Sequence, residues 1–257
     1  TASALAAMEV AEQFKKVSIV TGAASLQITN EKCTPYNVHY VYDTYALSRG
    51  TGKAVVDSGK KTWFFVTADY AFGHTLERDT TEVVVANGGK VLGSVKHPIN
   101  TQDFSSFMAQ AQASKAEIIG LANAGGDTIG SVKQAAELGI MNSKQTVVPL
   151  LMFTSDIQAL GLKQTSGMTF TEGWYWDHSD ANRKFAERFM KEFKGKAPTS
   201  PQAGVYSATL QYLKAIDAAK TDNSDAVMKQ MKAVEINDGL FRGKIRADGK
   251  FEHDMFL

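Results

Sequence analysis

Lys61-Thr-Trp-Phe-Phe-Val-Thr67 is a short apolar run that opens into Ala68-Asp-Tyr-Ala-Phe-Gly73, and the reading of this stretch through to Gly139 decides the fold. A helix is expected over 75–86, closed by Gly88-Gly89, and Lys90-Val-Leu-Gly-Ser-Val95 starts a second strand. Glu117-Ile-Ile-Gly-Leu-Ala122 is a third, interrupted by Asn123-Ala-Gly-Gly-Asp127 before a helix that Gly139 stops. Apolar strands alternating with helices of about 10–15 residues predict an α/β fold with a parallel sheet covered on both faces. In such sheets ligands sit outside the carboxyl ends of the strands, so those loops are the first candidates for function.

Outward from this core the pattern continues. Leu5, Met8, Ala11 and Phe14 give 2–15 helical spacing, followed by a strand at Val17-Ser-Ile-Val-Thr21 and the small-residue loop Gly22-Ala-Ala-Ser25. A helix is expected over 46–58, a strand over 147–153, and a cap at Thr154-Ser-Asp156. Met168 to Trp176 reads as extended. Helices follow over 180–193, 204–219 and 224–234, the last from a Ser-Asp cap, with Pro198 and Pro201 in a loop. A hairpin over 239–251 turns at Asp248-Gly249.

The bulk composition narrows the function. The chain has 257 residues, 44% of them apolar and 21% charged, with 28 basic against 27 acidic side chains. The near-neutral balance gives no nucleic-acid footprint. No apolar run approaches the roughly 18 residues that a membrane-spanning helix needs, so no segment is expected to insert directly into a bilayer. A single cysteine, Cys33, excludes an internal disulfide framework.

Several loop residues carry candidate chemistry. Gly22, Ala23, Ala24 and Ser25 have little side chain, so an anion can approach their backbone amides; the same residues also suit a tight strand-to-helix turn. Asp69, Tyr70 and Phe72 lie where a strand opens into a helix, either covering a ligand or serving as a cap and a core ring. Asn123, Ala124, Gly125, Gly126 and Asp127 occupy the next strand's carboxyl end, where the glycines allow backbone contact and Asp127 can cap the helix. Tyr42, Trp174 and Trp176 offer stacking faces with polar tips, or plain packing. Alternation would send Trp174 and Trp176 to one side and Tyr175 to the other.

Catalytic and metal patterns are weak. His39, His74, His97, His178 and His253 are scattered, without zinc-ligand spacing. The loop Ala122-Asn-Ala-Gly-Gly-Asp-Thr-Ile-Gly130 is placed like a dinucleotide loop but lacks the G-x-G-x-x-G spacing, and no P-loop follows. A nucleotide-dependent α/β enzyme using 122–130 is therefore the alternative reading. No cofactor and no metal are expected.

The ordered series Gly22-Ala-Ala-Ser25, Tyr42-Asp43, Thr67-Ala-Asp-Tyr-Ala-Phe-Gly73, Asn100-Thr-Gln-Asp-Phe-Ser105, Leu121 to Asp127, Phe153 to Asp156 and Gly239-Leu-Phe-Arg-Gly243 resembles the periplasmic solute-binding proteins of branched-chain amino acid ABC transporters. It is most similar to the branch associated with aromatic carboxylates. The resemblance implies a type I periplasmic binding protein fold: two doubly wound parallel-sheet lobes joined by crossover strands, closing by a hinge on a small carboxylate ligand. Lobe one would comprise 1–44 and 178–248, its N-terminal part absent and the lobe incomplete. Lobe two would comprise 45–177, with 249–257 starting a third crossover. Thr1 then matches a hydroxyl residue that helps hold a ligand carboxylate, and Asp156 matches the acidic position that pairs with an amino-acid ammonium, although a helix cap explains it equally. A membrane permease as partner and a periplasmic location follow from the same resemblance.

Overall fold

The computed structural model describes residues 1–257, which divide into two compact units. One contains Thr1–Asp43 and Gly173–Phe256, the other Thr44–Glu172 with Leu257. Nine strands carry the sheets: β1 (Ser18–Val20), β2 (Asn37–His39), β3 (Thr62–Ala68), β4 (Lys90–His97), β5 (Ile118–Ala122), β6 (Thr146–Pro149), β7 (Glu235–Asn237), β8 (Arg242–Ile245) and β9 (Phe251–His253). No helix is long and apolar enough to cross a membrane.

The unit around Thr44–Glu172 is built on a parallel sheet of order β4-β3-β5-β6. Every residue of β5 is buried, which is why Ile118-Ile-Gly-Leu-Ala122 is continuously apolar, whereas the edge strand β4 alternates in exposure. Phe104, Met108, Ile119, Leu121, Val132, Val147 and Met152 form part of its core. The helix after β3 runs Ala71–Ala86, beginning one turn before the expected 75–86. Gly73 permits this, because a Cβ there would lie 2.1 Å from the Ala68 carbonyl oxygen and 3.0 Å from that of Ala122. The helix can therefore start hard against the ends of β3 and β5. The helix Ser105–Ala113 and the short Leu162–Thr165 have no counterpart among the expected elements. The segment read as one helix over 46–58 consists of Thr44–Leu47, a π-helical stretch Ser48–Gly52, and Lys53–Asp57.

In the other unit β1 and β2 pair in parallel, and β7-β8-β9 form an antiparallel sheet. His39 bridges to Lys250, tying the two sheets together, and Tyr40 stacks on Phe251 with ring centroids 4.2 Å apart. The β8–β9 turn falls at Asp248-Gly249 as expected, with Gly249 at φ +86° and its amide bonded to the Arg246 carbonyl.

Three local expectations are corrected. The 168–176 stretch is irregular and contributes no sheet strand, so simple alternation does not order its aromatics. Pro201 lies in the first turn of helix Ser200–Ala219, where its missing N–H has no partner to lose, rather than in a loop; Thr199 and Gln202 supply a capping box. Helix Ser224–Ala233 is capped by Asn223, whose side chain accepts from the amides of Asp225 and Ala226.

Candidate functional site

Because β1 and β2 are parallel neighbours, the loop that leaves β1 lies beside the chain that leaves β2. The amides of Gly22, Ala23 and Ala24 in that loop make no backbone hydrogen bond. Two of the carbonyls are held instead: Gly22 O accepts from the Tyr42 hydroxyl at 3.0 Å, and Ala23 O from His39 Nε2 at 2.7 Å. A carbonyl can only accept, so the His39 proton sits on Nε2; Nδ1 is buried without a partner. Burial, with Lys250 adding to it, brings His39 down to about 4, so the ring is neutral. Ser25 is fully buried, and its Oγ accepts from the Gln27 amide as cap of the short helix Leu26–Ile28.

The remaining candidates of this unit differ in how committed they are. Thr1 precedes helix Ala2–Gln13 without a side-chain cap bond, and its Oγ1 is buried and unpartnered. Trp174 is buried against Phe185, with ring centroids 5.9 Å apart, and its indole N–H has no partner. Trp176 is half-buried, its ring 5.9 Å from that of the exposed Tyr175.

In the Thr44–Glu172 unit the segments that follow β3, β5 and β6 hold the other candidates. Asp69 is exposed and pairs with His74 Nε2 at 2.8 Å rather than capping the helix; Tyr70 stands at the cap position. Tyr70 is half-buried, and burial together with the negative charge of Asp127 raises its phenol above the ordinary range. Phe72 is buried, its ring 5.8 Å from that of Tyr70.

The loop after β5 is more heavily bonded than its residue types suggest. Asn123 is fully buried: Nδ2 meets His97 Nε2 and Ser131 Oγ, each at 3.1 Å, and Oδ1 accepts from Thr128 Oγ1 at 2.9 Å. That side chain is spent inside the unit. Asp127 Oδ2 accepts from the Asn100 amide at 3.2 Å, fastening the loop after β4 rather than capping its own helix. Ala124, Gly125 and Gly126 are the accessible part, and a Cβ on either glycine would meet nothing within 4 Å. Gly125, at φ +58° and ψ −126°, is in a conformation that only glycine adopts readily. Asp156 is buried at the third position of helix Thr154–Leu160 and accepts from the Phe153 amide at 3.0 Å; burial raises its carboxyl against the pull of that bond.

Some polar residues escaped the sequence reading. His39 looked like one of several scattered histidines, yet it reaches the β1 loop. Asp43 and Lys250 form a buried ion pair at 3.0 Å. Val41, a β-branched residue, sits at φ +73°, and its carbonyl accepts from His253 Nε2 at 2.6 Å. The available signal was the density of polar and aromatic side chains in Val38-His-Tyr-Val-Tyr-Asp43, unusual for a buried strand end.

Comparisons with known proteins give this geometry a family context. A family model described as periplasmic binding protein matches residues 1–257. A crystal structure of a periplasmic binding protein from Burkholderia mallei is 53% identical and superposes with a TM-score of 0.97, covering 99% of this chain and 68% of that one. A branched-chain amino acid ABC transporter periplasmic ligand-binding protein from Burkholderia xenovorans is 34% identical, with a TM-score of 0.87 over 99% of this chain and 68% of that one. A protein from Brucella melitensis described as Leu/Ile/Val-binding protein homolog 6 is 28% identical over 98% of this chain. The chain spans 65% of the length of that relative.

Proposed function

The chain belongs to the periplasmic binding protein family, with the type I fold, and from that premise we propose that it is part of the solute receptor of an ABC importer. The receptor captures a small organic carboxylate, either an aromatic acid or a branched-chain or aromatic amino acid, in the periplasm and hands it to a membrane permease. No bond is made or broken. The observation that carries this reading is the loop after β1, where consecutive small residues present amides without backbone partners at the carboxyl end of a parallel strand. Such amides suit a carboxylate, and the unpartnered Thr1 hydroxyl and Trp174 indole N–H are further donors of the right kind. Tyr70, Gly125 and Gly126 are further proposed ligand-binding residues, on the resemblance to the family alone. The names borne by the Burkholderia xenovorans and Brucella relatives support amino acids as one arm of the ligand class.

Binding favours a closed form because ligand contacts are gained there, which is the proposed hinge mechanism. The test is calorimetry and thermal shift with L-leucine, L-phenylalanine, benzoate, 4-hydroxybenzoate, ATP and NAD. A carboxylate at a hundredfold its Kd should stabilise the protein by about 2.7 kcal/mol. Small-angle scattering should record a smaller radius of gyration with that compound present. Stabilisation by a nucleotide alone would instead favour the enzyme reading of the 122–130 loop.

A further inference from the structure

We propose that Tyr42 and His39 are positioning residues for carboxylate recognition: by gripping the consecutive carbonyls of Gly22 and Ala23, they aim the amides of Ala23 and Ala24 as a matched pair of donors. This deepens the functional reading above and rests on it. The argument begins with the peptide group. In a trans peptide the C=O of one residue and the N–H of the next are antiparallel, and no peptide in this chain is cis. The Gly22 carbonyl therefore sets the direction of the Ala23 amide, and the Ala23 carbonyl that of the Ala24 amide.

Both carbonyls are bound by side chains that are themselves fixed. Tyr42 and His39 are buried to within 2% of full burial. His39 lies in β2, its own amide bonded to the Gly249 carbonyl at 2.9 Å, and its ring reaches Ala23 O at 2.7 Å. Tyr42 follows on the same strand end and reaches Gly22 O at 3.0 Å. With each C=O turned toward its clamp, each following N–H points the opposite way, and neither the Ala23 nor the Ala24 amide finds a backbone partner there. An ordinary strand-to-helix turn needs no such pair of clamps, since unbound carbonyls at a loop are satisfied by water. Two donors held at one peptide spacing match the two oxygens of a carboxylate, and holding them in place before binding removes the ordering cost.

The experiment uses protein labelled with ¹⁵N-alanine, titrated in parallel with benzoate and L-leucine and with their methyl esters. In unmodified protein the Ala23 and Ala24 amide protons should move downfield with the acid that binds. Tyr42→Phe keeps the ring and removes the donor; His39→Leu removes the other. Each should weaken the acid about tenfold or more, the expected scale for losing control of a charge-assisted hydrogen bond, while changing ester binding less than about twofold on the same scale. His39→Gln, whose amide can donate to Ala23 O, should recover most of the loss. A purely structural role would weaken acid and ester alike, and that result would overturn the proposal. Should the variants fail to fold, bound acid that leaves both alanine amides unmoved in unmodified protein would overturn it equally. If neither acid binds unmodified protein, the functional reading falls first and takes this inference with it.

Discussion

Replacing Gly73 by Ala tests the packing that places Asp69 and Tyr70. The new methyl would sit 2.1 Å from the Ala68 carbonyl oxygen and 3.0 Å from that of Ala122, against an ordinary C···O contact of about 3.3 Å. Both obstacles are backbone, at the ends of the two strands β3 and β5, so no side chain can rotate away and the start of helix Ala71–Ala86 must back off by more than about an ångström. Alanine returns about 1 kcal/mol of helix propensity. Overpacking against a fixed wall costs about 3 kcal/mol, the upper part of its usual range. The net expectation is destabilisation by about 2 kcal/mol, which lowers a urea midpoint by about 1 M at a slope near 2 kcal/mol/M. Gly126→Ala is the internal control, because its Cβ meets nothing within 4 Å; it should change stability by less than about 0.5 kcal/mol. Far-UV circular dichroism, with tryptophan emission to which the buried Trp63 contributes, follows the unfolding. A Gly73→Ala protein with the urea midpoint of the unmodified chain would refute the steric reasoning.

Other perturbations probe the polar interior. Lys250→Met strips the cation from the buried Asp43 carboxylate and should cost about 3 kcal/mol in a urea melt, while adding Asp43→Asn should recover much of it. Asp156→Ala removes the acceptor of the Phe153 amide and should cost about 1 kcal/mol; a loss of L-leucine but not of benzoate binding would identify the carboxylate as an ammonium partner as well. For His39 the folded value near 4 lies below the ordinary 6.5, so the unfolded chain binds the proton more readily. Its contribution is complete above pH 6.5, erodes as the pH falls towards 4, and reaches at most about 3 kcal/mol. Lys250, Asp43 and Asp248 act on the same ring, so urea midpoints at pH 7, 5.5 and 4 should be compared with those of His39→Gln, which lacks the titrating group and should lose less over that interval.

The fold class was readable because parallel strands buried on both faces leave an unbroken apolar run. Ile118-Ile-Gly-Leu-Ala122 and Lys61 to Thr67 carry that signal, and both form the sheet of one unit. Boundaries were harder wherever a glycine or proline had a tertiary purpose. Gly73 looked like a loop residue because its reason for being glycine is a carbonyl from β3 that becomes its neighbour only after folding. Pro201 looked like a breaker because sequence alone does not distinguish the first turn of a helix from the loop before it, although Thr199 and Gln202 were available as the cap. The Ser105–Ala113 helix escaped notice because it is short and small-residue-rich, and its period only becomes informative once Met108 and Ala111 are seen in the core.

The candidate residues were legible as strand-end positions and opaque by role, for one physical reason. Residues with obvious functional chemistry at strand ends must also satisfy the polar groups that a loop brings inside, and that second duty dominates in Asn123, Asp127 and Asp156, each bonded within its own unit. On the proposed reading, recognition passes to backbone amides, which every sequence contains and none marks. What distinguishes the amides of Ala23 and Ala24 is their direction, and direction is imposed by side chains from another strand. On that reading, the place to look for such a site in a sequence is the neighbouring strand's end, where buried donors such as His39 and Tyr42 reach across to the carbonyls of the adjoining loop.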